Sequence, residues 1–474
     1  MSGTRAGGGL LRKKDIPALQ RESEGETDFR RTLGLWSLTA IGIGGIIGVG
    51  AFVLLGTASA NNAGPAVALS FIIAGIASAC AALCYAEFAG MIPVSGSAYT
   101  YGYAVLGEIF AWIIGWDILL EYTLVVAVVA IGLSGYLNES LSGFGIEIPS
   151  WAASAPGAGE GGAVNLLAVV LCLFIAGLLY RGIETSARFN SAMVALKLAI
   201  LVFVIALGAF YVEPGNLTPF FPFGIGGVLT GAAVVFFAVF GFETLTTAAE
   251  ESVNPQRDLP RAVLISLAVA MVLYVLLSLV LTGMVPYTDL GTPAPVSAAF
   301  DSVGLTYVAL IVAVAAVASI LSVLFAFMLS ASRIWFAISR DGLLPRWFSR
   351  THPTYRTPYR PTVIIGVLTA LVAGFLPIET VAELVNIGGL TAFVIVCTAV
   401  IILRRRSPEL ERTFRTPLVP LVPIIGIIFS LVLIASLPAS TWVRFAIWML
   451  IGIVIYFLYS RSHSRMSSER ETGL

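Results

Sequence analysis

The 474 residues carry 27 Lys and Arg against 27 Asp and Glu, a formal charge of zero, and 58% are hydrophobic while 11% are charged. A soluble domain has a charged share of about 25%, so this balance, with a mean hydropathy of +0.94, excludes an ordinary soluble protein and gives no sign of a nucleic-acid partner. Most of the chain is expected to lie in lipid.

Residues 1–30 are polar and read as a cytoplasmic tail. About twelve apolar stretches follow, each long enough to cross a hydrocarbon core of roughly 30 Å. They fall near 35–58, 64–89, 108–136, 164–181, 188–211, 226–249, 260–283, 305–338, 362–378, 380–403, 417–437 and 441–459, and residues 460–474 form a second polar tail. The first stretch is too long for the core of a cleaved signal peptide, so it is expected to persist as a crossing. Positive flanks are retained inside during insertion. With the N-terminus inside, cytoplasmic segments hold 25 of the 27 lysines and arginines, leaving Arg444 outside and Lys197 within a span. Both termini are therefore expected in the cytoplasm, with residues 31–459 as one membrane domain. The longest outer loop, 137–163, is rich in Gly, Ala and Ser and reads as a flexible connection.

The first span contains Ile41 to Gly50, five glycines in ten residues. Backbone groups left unpaired at bilayer depth are tolerated only where they line a cavity or meet a ligand, so this run predicts an unwound helix at a binding site. Close helix packing is the other use of such glycines. A half-helix restarting at Gly48, Val49 and Gly50 offers N–H groups with partial positive charge, suited to a carboxylate. The sixth span repeats the interruption at Phe236 to Thr244, where Gly241 and Glu243 sit mid-span. An outer half-helix ending near Phe237, Ala238 and Phe240 presents carbonyls suited to an ammonium group. Together the two sites describe an α-amino acid. Breaks in spans one and six also suggest a five-plus-five repeat around a midplane site, with repeat one at 35–211, repeat two at 226–403 and extra helices at 417–459.

Three intramembrane ionisable positions stand out. Glu121 lies near the middle of span three, one turn beyond Asp117, where an ionised carboxylate costs roughly 2.5–3.5 kcal/mol on insertion scales. It must face the interior, as a ligand to substrate or as a buried structural acid; Asp117 reads as structural. Lys197 lies deep in span five, where it either snorkels or serves as a proton-exchanging or fixed cation. Glu243 could gate the site through water. Glu250 and Glu251 follow it, with Arg257 and Arg261 as surface partners. Cys80 and Cys84 share a helix face and read as packing residues. The only histidines, His352 and His463, lie in cytoplasmic segments. No metal cluster, catalytic triad or phosphate loop is present in the pattern, so neither an enzyme nor a cofactor is expected.

These residues resemble the amino acid/polyamine/organocation (APC) superfamily, and within it the bacterial relatives of the cationic amino acid transporters. The resemblance rests on Gly42 to Phe52, Pro93 to Tyr99 with Gly107-Glu108, Gly115 to Tyr122, Phe237 to Glu251 with Asn254-Pro255 and Pro260, and Ser339 to Pro345. It implies an all-α membrane fold of about twelve helices, with a five-plus-five inverted repeat, broken helices one and six, and alternating access. It also implies that the substrate carboxylate meets Gly48, Val49 and Gly50, while the ammonium meets carbonyls of Ile46, Phe237, Ala238 and Phe240. Glu121 would then lie near the substrate side chain, and Lys197 would occupy a sodium position, making transport sodium-independent. Phe240 stands where smaller aliphatic residues are common, and Leu324 to Phe327 are wholly apolar, so a basic substrate is not implied. The expectation is a plasma-membrane permease of neutral or cationic L-amino acids, working by proton symport or exchange. A sodium-coupled symporter and a non-transporting receptor are the alternatives, and neither oligomeric state nor a helper subunit is legible.

Overall fold

The computed structural model describes residues 33–464 apart from 93–96, 159–160, 183–186, 248–250 and 356, with the side chains at 97, 187–189 and 246–247 also left out. Both predicted tails beyond these limits, Glu160, Glu250 and the Pro93 to Gly96 motif lie outside the described residues. Within a bilayer each N–H and C=O must find its partner inside the chain, and for apolar segments of this length the helix is the local solution.

The helices are α1 (Leu35–Ile46), α2 (Leu55–Ala58), α3 (Val67–Met91), α4 (Ser97–Val105), α5 (Glu108–Gly143), α6 (Leu166–Tyr180), α7 (Ala187–Gly208) and α8 (Gly224–Val239). They continue as α9 (Thr244–Thr247), α10 (Pro255–Met284), α11 (Thr306–Arg340), α12 (Tyr359–Phe375), α13 (Ile378–Arg406), α14 (Leu421–Ala435) and α15 (Ala439–Ile455). Among the described residues, seven helical runs are long and apolar enough to cross a membrane, and five shorter apolar helices accompany them. Every apolar stretch in the sequence coincides with one of these helices or with a broken pair. The chain is thus an all-helical, multi-pass membrane protein.

Most boundaries shift by one to four residues from the sequence reading, and two shift further. Helix α5 runs on to Gly143 rather than 136, with Ser140 Oγ folded back to donate to the Tyr136 carbonyl at 2.8 Å. The connection after it is folded on itself, with Ala163 and Val164 N–H groups both donating to the Trp151 carbonyl at 3.0 Å. Helix α10 begins at Pro255 rather than 260 and carries Pro260 within it; Pro255 suits the first position, where the missing N–H would have no intrahelical partner anyway.

Helix α5 is the centre of the molecule: 78% of its most apolar window is buried, against 17% for the last span. It lies along α11 and α13, while α6 lies along α12, and α3 packs on α10 and α8. Helix α1 rests on α10, and α7 touches α1, α10 and α11. Side chains such as Val202, Phe203, Ile311, Leu371 and Leu450 face outward and exposed, as a lipid-facing surface requires.

Polar ties concentrate at the ends expected to be cytoplasmic. Glu87, 1% exposed, accepts from Arg404 Nε and Nη2 at 2.8 and 2.9 Å, from Arg412 Nε at 3.0 Å and from the Thr416 N–H at 2.8 Å. A buried carboxylate needs such full pairing, and removing one partner typically costs about 3–5 kcal/mol. Glu108 takes hydroxyl donors from Tyr103 and Ser464 at 2.8 Å and from Tyr456 at 3.1 Å. Trp116 and Trp448 stack with centroids 4.4 Å apart and exchange indole N–H bonds to each other's carbonyls at 2.9 and 3.2 Å. Just before α1, Leu33 forms a parallel bridge with Ser252, its N–H donating to the Glu251 carbonyl at 3.0 Å and its carbonyl accepting from Val253 at 2.9 Å. Glu251 also pairs with Arg333 on α11 at 3.8 Å, an ion partner the sequence reading did not name. Cys80 and Cys397 meet at Gly426, where an added Cβ would lie 2.9 and 3.1 Å from them, consistent with packing.

Candidate functional site

Helix α1 ends at Ile46 because Ile47 leaves the helical region at φ −80°, ψ 105°. Helical turns resume with the wide Gly50–Leu54 segment, and the Gly48 carbonyl accepts from Ala51 and Phe52 at 3.1 and 3.2 Å. The carbonyls stranded by the break have found distant donors. Lys197 Nζ, fully buried, donates to Gly44 and Ile47 carbonyls at 3.0 and 3.1 Å. The Tyr274 hydroxyl on α10 donates to the Ile46 carbonyl at 2.9 Å. On the other side of the gap, Gly48, Val49 and Gly50 open the next helical turns, where the first N–H groups have no intrahelical acceptor.

The sixth span breaks where Phe240 turns extended at φ −78°, ψ 155° and Gly241 takes φ +113°, a conformation L side chains rarely adopt. This break is closed by its own neighbours. The Gly241 N–H donates to Glu243 Oε2 at 3.1 Å, and Thr244 Oγ1 donates to the Gly241 carbonyl at 2.6 Å. The two breaks touch backbone to backbone. A Cβ on Gly241 would sit 2.7 Å from the Gly45 carbonyl oxygen, and one on Gly50 would sit 2.3 Å from Ala238 Cα. Glycine is therefore demanded at these positions by close approach as well as by unwinding.

Between the breaks is a cavity lined by Gly45, Ile46, Gly48, Val49 and Gly50, by Phe237 and Phe240, by Val125 and Val129 of α5, and by Val323 and Phe327 of α11. Ile46, Gly48, Val49, Gly50, Phe237 and Phe240, named from sequence, all line it. Ala238 lies behind the wall against Gly50. Glu121 is 2% exposed and outside the lining, one turn toward the start of α5 from Val125. Lys197 and Glu243 likewise sit behind it, each bonded to break backbone. Sequence reasoning missed Val125, Val129, Val323 and Tyr274. For the two α5 valines the signal was present, since Asp117, Glu121, Val125 and Val129 recur every fourth residue and so share one helix face.

That face passes from acids to valines along α5. Asp117 is 1% exposed, and both its carboxylate oxygens lack a hydrogen-bond partner among the described residues. It abuts Gly388 of α13, where a Cβ would stand 2.7 Å from Oδ1. A buried polar group without a partner is uncommon and asks for an explanation, so the purely structural reading of Asp117 is weakened. No group of three or more His, Cys, Asp or Glu able to hold a metal ion occurs among the described residues.

The start of the helical turns at Gly48 to Gly50 and the C-terminal end of α8 both border one small apolar cavity, and helix starts and ends carry the two polarities that a zwitterion requires. Comparison with known proteins bears on this. A family model described as "Amino acid permease" matches residues 33–458. The chain is 47% identical to the branched-chain amino acid permease BcaP of Bacillus subtilis (strain 168) over 463 residues, covering 97% of this chain and 99% of the relative. It is 46% identical to the methylthioribose transporter of the same organism over 458 residues, again 97% and 99%. It is 38% identical to the vacuolar cationic amino acid transporter 4 of Arabidopsis thaliana over 407 residues, 84% of this chain and 68% of that protein. The chain belongs to the amino acid permease family of the APC superfamily and is a permease rather than an enzyme.

Proposed function

We propose that the protein carries neutral, branched or otherwise aliphatic L-amino acids across the plasma membrane by alternating access, without sodium, by proton symport or amino acid exchange. The observation that carries this reading is the cavity at the crossing of two broken helices, with N–H groups at Gly48 to Gly50 facing the carbonyl end of α8 at Phe237 to Phe240. The substrate carboxylate takes the first set. Its ammonium takes the second together with the Ile46 carbonyl, whose second lone pair remains open beside the Tyr274 bond.

Side-chain selection follows from the walls. Val125, Val129, Val323, Phe327 and Phe240 are apolar, and the nearest acid, Glu121, lies outside the lining, which favours an aliphatic side chain over a cationic one. The 47% identity to a relative named as a branched-chain amino acid permease supports the same choice. Lys197 supplies a fixed cation at the first break, which supports sodium independence, while Glu121 and Glu243 are the proposed proton-handling acids. The proposed architecture is twelve spans in residues 31–459, arranged as a five-plus-five inverted repeat with two extra helices and both termini cytoplasmic. Its support is the pairing of counterparts: span two packs on seven, three on eight, four on nine, and one meets six at the breaks.

Proteoliposomes provide the test. Uptake of isoleucine should rise with an inward proton gradient or with internal amino acid, and should be unchanged when choline replaces sodium. Indifference to both driving forces rejects either coupling mode, and a sodium requirement rejects the role given to Lys197. Methylthioribose, which has no carboxylate or ammonium, should compete poorly; strong competition would show that the dipolar ends of the cavity do not select the substrate.

A further inference from the structure

We propose that Gly389 of α13 sets the largest side chain the cavity admits, by leaving room for the Phe240 ring to lie back from it. The proposal rests on the reading of the cavity as an amino acid site.

Phe240 is the residue at which α8 unwinds, and it forms part of the cavity wall. On its other side it rests on Gly389. A Cβ added there would stand 3.0 and 3.2 Å from Phe240 Cε2 and Cδ2, and 3.5 Å from Phe236 Cε1. Ordinary contact between carbons is about 3.5–4.0 Å, so an alanine at 389 forces its closest neighbour to give way by a few tenths of an ångström. The surroundings decide which way. Helix α13 cannot easily back off, because Asn386 Nδ2, one turn earlier, donates to the Ala233 and Val234 carbonyls of α8 at 2.7 and 3.3 Å. Phe393, one turn later, holds the fully buried Phe236 ring edge to face, with centroids 5.4 Å apart. The direction left to the Phe240 ring is the cavity. Phe240 and Gly389 thus act as a matched pair: a bulky aromatic wall made compatible with a branched substrate by a missing methyl group behind it.

The experiment compares isoleucine and alanine uptake in proteoliposomes for wild type, Gly389→Ala, Phe240→Leu and the double variant, with thermal unfolding of each purified protein as a check on folding. One methylene in a hydrophobic pocket is worth roughly 10- to 200-fold in discrimination. Gly389→Ala should accordingly lower the isoleucine-to-alanine ratio by about tenfold while alanine uptake persists. Alanine is the better helix former, so α13 itself should hold. Phe240→Leu should shift preference toward larger side chains, and the double variant should regain most of the wild-type ratio. A Gly389→Ala ratio within about twofold of wild type, or a uniform loss of both substrates that Phe240→Leu does not relieve, overturns the proposal. If wild type itself moves no amino acid, the functional reading beneath it fails, an outcome distinct from an unchanged ratio.

Discussion

The two helix breaks expose similar backbone but are held by different means. At the first, stranded carbonyls are satisfied from far away in sequence, by Lys197 on α7 and Tyr274 on α10. At the second, Glu243 and Thr244 close the turn within a few residues of Gly241. The first break is therefore wired to two other spans, and a change in either is felt at the site. The second is held at Gly241 by bonds from residues no more than three positions away. One backbone device can thus serve as a sensor of the rest of the fold or as a local hinge, depending only on where its hydrogen bonds come from.

Substitutions should separate these roles by size of effect. The largest belongs to Lys197→Ala, which leaves two buried carbonyls without donors at about 1–3 kcal/mol each. Uptake should fall to background while circular dichroism still reports a helical protein; near wild-type uptake would make Lys197 a packing residue. Next is Gly241→Ala, where a side chain at φ +113° sits 2.7 Å from the Gly45 carbonyl. Strain of about 1–3 kcal/mol should lower the unfolding temperature and reduce uptake by at least about tenfold. Tyr274→Phe removes one neutral hydrogen bond worth about 1 kcal/mol, so the isoleucine concentration giving half-maximal uptake should rise about fivefold. Smallest is Thr244→Val, which loses the Oγ1 bond but keeps the Thr244 N–H bond to the Gly241 carbonyl at 3.2 Å. Uptake should stay within about threefold of wild type, given a loss of less than about 1 kcal/mol. If Thr244→Val proves more harmful than Tyr274→Phe, the contrast between distant and nearby bonds as the source of coupling is wrong.

The breaks were legible in sequence because their cause is local. Five glycines between Ile41 and Gly50, and Gly241 beside an acid, mark the unwound backbone within the segment itself, even though distant donors complete the first break. The spans were legible for a similar reason, since length and hydropathy alone decide what crosses lipid. What escaped was tertiary. Nothing near Tyr274 says that its hydroxyl will reach Ile46, and nothing near Glu87 says that Arg404 and Arg412 will close on it. Asp117 was judged by its place along one helix, whereas its lack of partners depends on the bare surface of Gly388 across the interface. The apolar walls were half visible: the face shared by Glu121, Val125 and Val129 is periodic, but which side of α5 meets the cavity is settled by α11 and α13 packing against it.

The bridge between Leu33 and Ser252 has a mechanical consequence. Its two backbone bonds fasten the lead-in to α1 to the stretch that enters α10, so a tilt of one inner half-helix drags the other with it. The clasp of Glu251 on Arg333 then ties that yoked pair to α11. Two segments laced together in this way are held to one common position, so a shift at this end of the molecule involves both at once.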